Sequence, residues 1–209
     1  MRFNSDQIQK IGKEIRSKVD GKTLFDEFSR GRYSTDASVY QIKPLGVVLP
    51  KDTNDVLSLM EYSQKNSVPL LARGGGSSQC GQTVGESVVL DYSKHQNKIL
   101  ELNVEEKYVW VQPGVVLDHL NAYLKPHGLW FPVDVSTSSR ATIGGMSANN
   151  SCGSRSLYYG NMVHNVLAIE AILDDGSIFN FDQINKNYLA TKNNHCLLYT
   201  SPSPRDASQ

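Results

Sequence analysis

The feature that most constrains the fold of this chain is a run of three glycines that directly follows a short apolar segment. Residues 70–85 read LLARGGGSSQCGQTVG, so a predicted strand ends at Arg73 and a loop begins at Gly74. Glycine adopts positive φ without steric cost and lets a ligand approach the backbone. Successive backbone N–H groups in such a loop form a concavity that suits an anion, most often phosphate. A flexible surface loop is the alternative interpretation.

The loop offers one cation and several uncharged groups as candidate ligands. Arg73 could pair with phosphate, or it could hold the loop in place by donating to backbone carbonyls. The other candidates are small or carry an uncharged polar side chain: Gly74, Gly75, Gly76, Ser77, Ser78, Gln79 and Gln82. Because this segment contains no lysine, a phosphate here would meet mainly backbone N–H groups.

The segments around this loop predict a small α/β unit. Apolar runs predict strands at residues 46–50, 68–73 and 87–93. Residues 51–66 predict a helix, with Asp52 or Thr53 as its N-cap. Residues 6–19 predict an amphipathic helix, because their isoleucines recur at helical spacing. The order of strand, helix and strand favours a partly parallel sheet.

The pattern changes near residue 95, which divides the chain into two predicted lobes. Residues 98–103 and 108–114 predict consecutive strands, and residues 115–125 predict a helix. Residues 167–181 predict a hairpin that turns at Asp175-Gly176.

A second cluster of small residues spans residues 131–166. Thr142 is placed to cap a short helix beginning at Ile143, which would aim free N–H groups at a ligand. Asn149 and Asn150 add amide groups that could contact the edge of a heteroaromatic ring. One long irregular loop is the alternative, although ordered loops of this length are usually functional. Two such clusters, one on each lobe, fit a dinucleotide between them, yet the Rossmann and P-loop glycine motifs are both missing.

Composition excludes several other classes of function. Lys+Arg and Asp+Glu number 21 each, and the resulting zero net charge argues against a nucleic-acid-binding protein. Three cysteines without a CxxC motif argue against a disulfide framework or a zinc site, so no metal site is predicted. No apolar run is long enough to span a membrane, so only peripheral association with a membrane is left open. Residues 1–20 lack the apolar region of a signal peptide. We therefore expect a cytoplasmic protein.

Four segments, taken in order, resemble the FAD-binding PCMH-type domain of the vanillyl-alcohol oxidase family. They are residues 32–56, 70–82, 132–154 and 158–177, and the resemblance covers about residues 25–182. The chain is most similar to the branch of FAD-linked oxidases that contains D-lactate dehydrogenase, glycolate oxidase and D-2-hydroxyglutarate dehydrogenase.

The resemblance implies an α+β fold with two lobes. A small α/β lobe would occupy about residues 25–95, and a larger mixed-sheet lobe would occupy about residues 96–182. Residues 1–24 would form a separate helical segment. Residues 201–209 have the composition of a disordered tail, and we expect the whole tail, residues 183–209, to be truncated or artificial. A natural disordered tail is the alternative.

The resemblance also implies which residues bind the cofactor. The pyrophosphate would lie on residues 73–82, and the ribityl and isoalloxazine groups on the second cluster. The matching positions there are Pro132, Ile143, Gly144, Gly145, Ala148, Asn150, Gly153, Gly160 and Val166. Some family members attach FAD covalently through a histidine after the paired glycines. Since Gly76 and Ser77 occupy that region here, we expect non-covalent FAD.

Other residues near the predicted flavin have two interpretations each. Cys152 could attach the flavin, but a small buried residue is the favoured interpretation. His164 could tune the flavin, but a structural role is favoured. Arg155, like Arg73, could bind the ligand or hold the backbone. His95, His119 and His127 lie in segments typical of a protein surface and are expected to be solvated.

The activity implied by the resemblance is oxidation of a 2-hydroxy acid such as D-lactate, glycolate or 2-hydroxyglutarate, with transfer of a hydride equivalent to FAD and onward to an electron acceptor. In members of this family, a further domain supplies the residues that bind the substrate carboxylate and the catalytic base. No convincing arginine or histidine set of this kind is found in these 209 residues, so no catalytic residue is predicted. The isolated chain is therefore expected to be inactive. An iron–sulfur cluster is conceivable only in a C-terminal region outside this sequence. The alternatives are an oxidase of a sugar or alcohol and a non-catalytic nucleotide-binding module.

A bulky residue at Gly75 is expected to abolish FAD binding and leave the fold largely intact.

Overall fold

The computed structural model describes residues 3–181. The helices are α1 (Ser5–Arg16), α2 (Glu27–Arg32), α3 (Thr53–Asn66), α4 (Leu117–Leu124), α5 (Ile143–Ala148), α6 (Ser156–Tyr159) and α7 (Met162–Asn165). The strands are β1 (Lys22–Leu24), β2 (Gly46–Leu49), β3 (Leu70–Arg73), β4 (Val88–Asp91), β5 (Ile99–Asn103), β6 (Tyr108–Val111), β7 (Ile169–Ile172) and β8 (Ile178–Phe181).

The first lobe is built on a four-stranded sheet in the order β1-β2-β4-β3. Strands β2, β3 and β4 are parallel, as the sequence predicts, and β1 pairs antiparallel with β2. Every residue of β2 and β4 is buried, which is typical of parallel strands covered on both faces. The carboxyl ends of β3 and β4 lie side by side, with Arg73 opposite Asp91. The glycine-rich loop leaves the sheet at this edge.

Local chemistry explains where the long helices begin. Asp52 is the N-cap of α3, and its side chain accepts hydrogen bonds from the N–H groups of Asn54 and Asp55. Helix α1 begins with a reciprocal capping box between Asn4 and Gln7. Both helices pack onto the sheet, with α1 contributing its isoleucines and α3 contributing residues such as Leu59 to one core.

The second lobe contains two antiparallel strand pairs in the described residues, β5 with β6 and β7 with β8. Helix α4 packs against the first pair through Leu120 and Leu124. The predicted hairpin turn is confirmed, and Gly176 adopts a φ of +82° there. The α+β class is confirmed, but the sheets of this lobe are separate antiparallel pairs where a mixed sheet was expected. Each pair is joined by a short connection, and a short connection permits only antiparallel pairing.

The structure adds several short elements that the sequence did not predict, namely the helices α2, α6 and α7 and the strand β1. Residues 22–24 form β1, which pairs with β2, and helix α1 lies in the same core as β2 and β4. The domain boundaries, including the division after residue 24, stay predictions. Residues 183–209, which were expected to be a truncated or artificial tail, lie outside the described residues.

Candidate functional site

The structure brings the two glycine-rich segments together. The glycine loop, residues 74–82, follows β3 in the first lobe, and the second cluster, residues 131–166, belongs to the second lobe. A Cβ atom at Gly74 would lie less than 3.0 Å from the Oγ1 atom of Thr142. The Nε2 atom of Gln82 donates to the Oδ1 atom of Asn149 at 2.9 Å. We call this meeting point the junction.

Close packing at the junction explains the first two glycines. A Cβ atom at Gly75 would lie less than 3.0 Å from the backbone carbonyl oxygen of Arg140. The expectation that a larger residue at Gly75 would leave the fold intact is therefore wrong, because that residue would push apart two backbones. Gly76 has a different requirement, since its φ of +63° lies in the left-handed region.

The glycine loop carries a series of free backbone donors. Within residues 3–181, the N–H groups of residues 74–79 donate no hydrogen bond to another residue. The loop is held on its other side, because the Ala37 N–H donates to the Gly76 carbonyl at 3.1 Å. A fixed loop with unused N–H groups has the donor set that binds an anion.

Arg73 holds this loop in shape. Its guanidinium donates to the carbonyl oxygens of Thr35 at 2.9 Å and Thr83 at 3.2 Å. It also lies over the Tyr33 ring, 5.2 Å from the ring centroid. Of the two roles that the sequence left open, the structure favours bonding to carbonyls. Tyr33 in turn donates its hydroxyl hydrogen to Asp91 at 2.7 Å, and burial together with this bond raises the pKa of Tyr33.

A carboxylate fixes the far end of the loop. Asp36 accepts hydrogen bonds from the Thr83 hydroxyl at 2.9 Å and from the Ser38 N–H at 2.8 Å. Burial raises the pKa of Asp36, but the bonds from Ser38 and Thr83 outweigh it and the net pKa lies below the ordinary value. Sequence reasoning missed Tyr33, Asp36 and Asp91. The available signal was that Asp91 ends the strand predicted beside the one ending at Arg73.

The start of α5 differs in one respect from what the sequence predicts. Thr142 caps the helix, as predicted. However, the N–H groups expected to be free are already occupied: Ile143 donates to the Val115 carbonyl at 2.8 Å, and Gly144 donates to the Pro113 carbonyl at 2.9 Å. The segment after β6 lies across the helix start and takes these donors. The unused N–H groups at the junction are therefore those of the glycine loop.

Gly145 leaves open space beside the loop. It is exposed, and an added Cβ would meet only the Thr142 hydroxyl, at 3.2 Å. Ala148 on the same helix is also exposed, whereas Pro132 and Ile143 are half-buried. Small residues on this face keep the surface of α5 flat and accessible.

Arg155 is engaged within the second cluster. It lies 5.1 Å from the Trp130 ring centroid, and its Nε atom is 3.6 Å from the Asp134 carboxylate. Asp134 also accepts from the Arg155 N–H and the Ser154 hydroxyl, and these bonds lower its pKa. Gly153 is required here because a Cβ would clash with the Asp134 carbonyl. This part of the cluster is held together by its own contacts.

The end of the second cluster borders a pocket of about 360 Å³. Asn150, Met162 and Val166 are among its lining residues, so two predicted site residues meet there. Asn150 adopts a φ of +44°, and its side chain accepts from the Val163 N–H at 3.0 Å. Gly160, with a φ of +77°, precedes α7.

The histidines and cysteines in the described residues are exposed, and His164 is in addition hydrogen-bonded to the backbone. The Nδ1 atom of His164 accepts from the Asn161 N–H at 3.1 Å, so the favoured structural role is supported. His95 is exposed, as are the histidines at 119 and 127. The expectation that Cys152 is buried is wrong: it lies in the exposed segment after α5, and Cys80 in the glycine loop is also exposed.

The described residues form neither a metal-binding cluster nor a membrane-spanning helix. Residues 3–181 contain no group of three or more His, Cys, Asp or Glu side chains that could hold a metal ion. In the same part of the chain, no helix has the length and apolar character needed to cross a membrane.

Comparison with protein families and curated proteins identifies relatives. The FAD binding domain family matches residues 44–182. D-2-hydroxyglutarate dehydrogenase from Haemophilus influenzae is 42% identical over 155 residues, which are 73% of this chain and 15% of that protein. The GlcD subunit of glycolate oxidase from Bacillus subtilis is 37% identical over 176 residues, which are 82% of this chain and 37% of that protein. The chain thus spans a minor part of both relatives.

Comparison with solved structures finds the same fold at low sequence identity. A crystal structure of alkyldihydroxyacetonephosphate synthase superposes with a TM-score of 0.73 at 20% identity. The match covers 86% of this chain and 35% of that chain.

Proposed function

The chain belongs to the FAD binding domain family, and from this premise we propose that it is the FAD-binding part of a flavin-dependent oxidoreductase that oxidises a 2-hydroxy acid. The substrate class is supported by relatives whose names specify D-2-hydroxyglutarate and glycolate, both of which are 2-hydroxy acids. The chain spans only 15% and 37% of these two relatives, so the activity of the whole protein is part of the proposal.

The observation that carries the proposal is the row of unused N–H groups on the glycine loop at the junction. Residues 74–79 supply donors without acceptors, and no carboxylate side chain lies among them. Pyrophosphate oxygens are acceptors only, so the chemistry of this donor set fits the pyrophosphate of FAD. The residues present therefore fit the cofactor that the family implies.

The proposed binding site uses both segments of the junction. Gly74, Gly75, Gly76, Ser77, Ser78 and Gln79 would bind the pyrophosphate, and Gln82 would close the loop against Asn149. Arg73 would contribute by holding the loop. The flavin and ribityl groups would lie against Pro132, Ile143, Gly144, Gly145, Ala148, Asn150, Gly153, Gly160 and Val166. The exposure of Gly145 and Ala148 supports this placement, because neither residue obstructs a flat ring.

FAD and the protein would contribute different parts of the chemistry. Bound FAD would supply the redox chemistry, which is acceptance of a hydride equivalent from the carbon that bears the hydroxyl group. The protein would bind the phosphates through a preshaped loop, so little ordering accompanies binding. We propose non-covalent binding, a small-molecule hydroxy acid and an electron acceptor as partners, and a cytoplasmic location, the last supported only by the low cysteine content.

A spectroscopic titration of the purified chain tests the proposal. Added FAD should bind saturably and in a 1:1 ratio, and acid precipitation should release all of the yellow colour into the supernatant. Riboflavin, which lacks both phosphates, is the matched ligand and should bind more weakly. A folded chain that binds no FAD contradicts the proposal, and colour retained in the acid pellet contradicts non-covalent binding.

The substrate class needs a separate measurement on the full product of the gene that encodes this chain. Under anaerobic conditions, D-2-hydroxyglutarate, glycolate or D-lactate should bleach the flavin absorbance. Glucose and ethanol serve as controls for the sugar and alcohol alternatives. Bleaching by a control alone contradicts the assignment to hydroxy acids.

A further inference from the structure

The junction has a charge requirement that the glycine loop does not meet by itself. The pyrophosphate proposed to bind there carries two negative charges. Arg73 directly precedes the loop and keeps its positive charge, but its guanidinium already donates to the carbonyls of Thr35 and Thr83. Backbone N–H groups supply dipoles, and a dianion is bound more tightly when a charged donor is added.

The other charged groups of the junction are already engaged. Arg155 is paired with Asp134 and lies over Trp130. Asp36 carries negative charge at the far end of the loop and accepts hydrogen bonds from Ser38 and Thr83. Asp91, behind the loop, accepts from Tyr33 and Ser93. None of these groups adds an available positive charge.

Arg140 differs from them because its side chain is free. It is exposed, and within residues 3–181 its guanidinium has no hydrogen-bond acceptor or ion-pair partner. Its backbone, in contrast, is fixed: its N–H donates to the Thr137 carbonyl at 2.8 Å, and its carbonyl packs against Gly75. The backbone that carries this cation is thus fixed directly against Gly75, one of the residues with an unused N–H group.

We propose that Arg140 binds the pyrophosphate of FAD and supplies a charged hydrogen-bond donor in addition to the backbone N–H groups of the glycine loop. This inference rests on the proposed function and adds a binding residue to that site. The planar guanidinium can bond two phosphate oxygens at once, while the loop N–H groups bond the others. Arg140 on the second lobe and the loop on the first would then hold one ligand between them.

The test is a set of FAD titrations at low and high salt concentration, followed by flavin fluorescence or absorbance. Arg140→Gln removes the charge and keeps a polar side chain, and Arg140→Lys keeps the charge without the planar fork. Lys18→Gln is the matched control, because Lys18 is an exposed cation outside the junction. Circular dichroism and thermal unfolding verify that each variant is folded.

Arg140→Gln should weaken FAD binding by about tenfold or more and reduce its dependence on salt, since one charge-assisted contact is lost. Arg140→Lys should recover part of the affinity, and Lys18→Gln should bind like the wild-type chain. Equal affinity and equal salt dependence for wild type and Arg140→Gln overturn the assignment of Arg140 alone. Absence of saturable FAD binding by the folded wild-type chain overturns the proposed function and, with it, this assignment.

Discussion

Gly75 packs directly against the backbone of Arg140, so that a single added carbon at residue 75 would meet the Arg140 carbonyl at less than 3.0 Å. This contact joins two segments that lie 65 positions apart and belong to different lobes. It gives Gly75 a structural task in addition to any role toward a ligand. The loop and the second cluster are therefore held in a fixed relation before a ligand arrives.

The first prediction concerns this contact. Gly75→Ala should lower the free energy of unfolding by about 1–3 kcal/mol, because the backbones must separate to accept the new carbon. Gly31→Ala is the matched control, since its Cβ would meet nothing within 4 Å. Gly31 lies within α2, so the control should be neutral or more stable by up to about 1 kcal/mol. Urea denaturation followed by circular dichroism measures both, and equal stability of the two variants would refute the contact.

The second prediction concerns Arg73 and the shape of the loop. Arg73→Lys keeps the charge, but a lysine cannot bond the carbonyls of Thr35 and Thr83 in the same planar arrangement. We expect FAD affinity to fall by about tenfold, from loss of hydrogen bonds to a charged group. Arg16→Lys is the control, because Arg16 bonds the Thr23 hydroxyl on an exposed surface. An unchanged FAD dissociation constant in Arg73→Lys would show that Arg73 does not set the loop geometry.

The third prediction concerns the frame of the first lobe. The buried carboxylate of Asp55 accepts from the N–H groups of Asp20 at 2.7 Å, Gly21 at 2.9 Å and Lys51 at 2.7 Å. Asp55→Asn replaces one acceptor oxygen with a donor, so we expect a loss of about 2 kcal/mol or more in unfolding free energy. Asp52→Asn is the matched control, because asparagine caps a helix as well as aspartate does. Thermal and urea unfolding should separate the two variants clearly; similar losses would contradict this assignment.

The fourth prediction concerns alkaline pH. Burial raises the pKa of Tyr92 from 10.0 to about 12. The folded state therefore holds the Tyr92 proton more tightly than the unfolded state. The contribution of this proton to the free energy of unfolding is fully present below pH 10 and is lost as the pH rises toward 12. At pH 11, Tyr92 should account for about 1 kcal/mol of the loss in stability.

Tyr92→Phe removes that ionisation and should lose correspondingly less stability than wild type between pH 8 and pH 11, as measured by urea denaturation. Tyr158→Phe is the control, since Tyr158 is 85% exposed. If Tyr92→Phe and wild type lose the same amount of stability over this interval, the pKa of Tyr92 is not raised in the folded state.

Local sequence chemistry was sufficient for much of the fold. Asp52 and Thr142 were recognisable as helix caps, and Asp175-Gly176 as a hairpin turn, because each feature depends on neighbours within a few residues. The parallel strands followed from their short apolar runs and the helix between them. Strand β1 has only three residues, and its pairing with β2 is a long-range contact that carries no local signal.

The candidate site was harder to predict, because its details depend on contacts between distant segments. No local pattern indicates that the carbonyls of Pro113 and Val115 accept hydrogen bonds from the first N–H groups of α5. The sequence also does not show that the Tyr33 ring packs under the Arg73 guanidinium, or that Tyr33 donates to Asp91, which lies 58 positions away. The small-residue composition of the glycine loop and the second cluster was sufficient to locate the candidate FAD site. Tertiary packing determines which backbone N–H groups there are available to a ligand.

The measurement that tests the central claim most directly is the FAD affinity of two variants at Ser77, a half-buried residue of the glycine loop. Ser77→Asp places a negative charge among the unused N–H groups, and Ser77→Asn adds a similar volume without charge. We predict that Ser77→Asp binds FAD at least about tenfold more weakly than Ser77→Asn, because the new carboxylate repels the pyrophosphate. Equal affinities for the two folded variants would contradict the placement of the pyrophosphate on this loop.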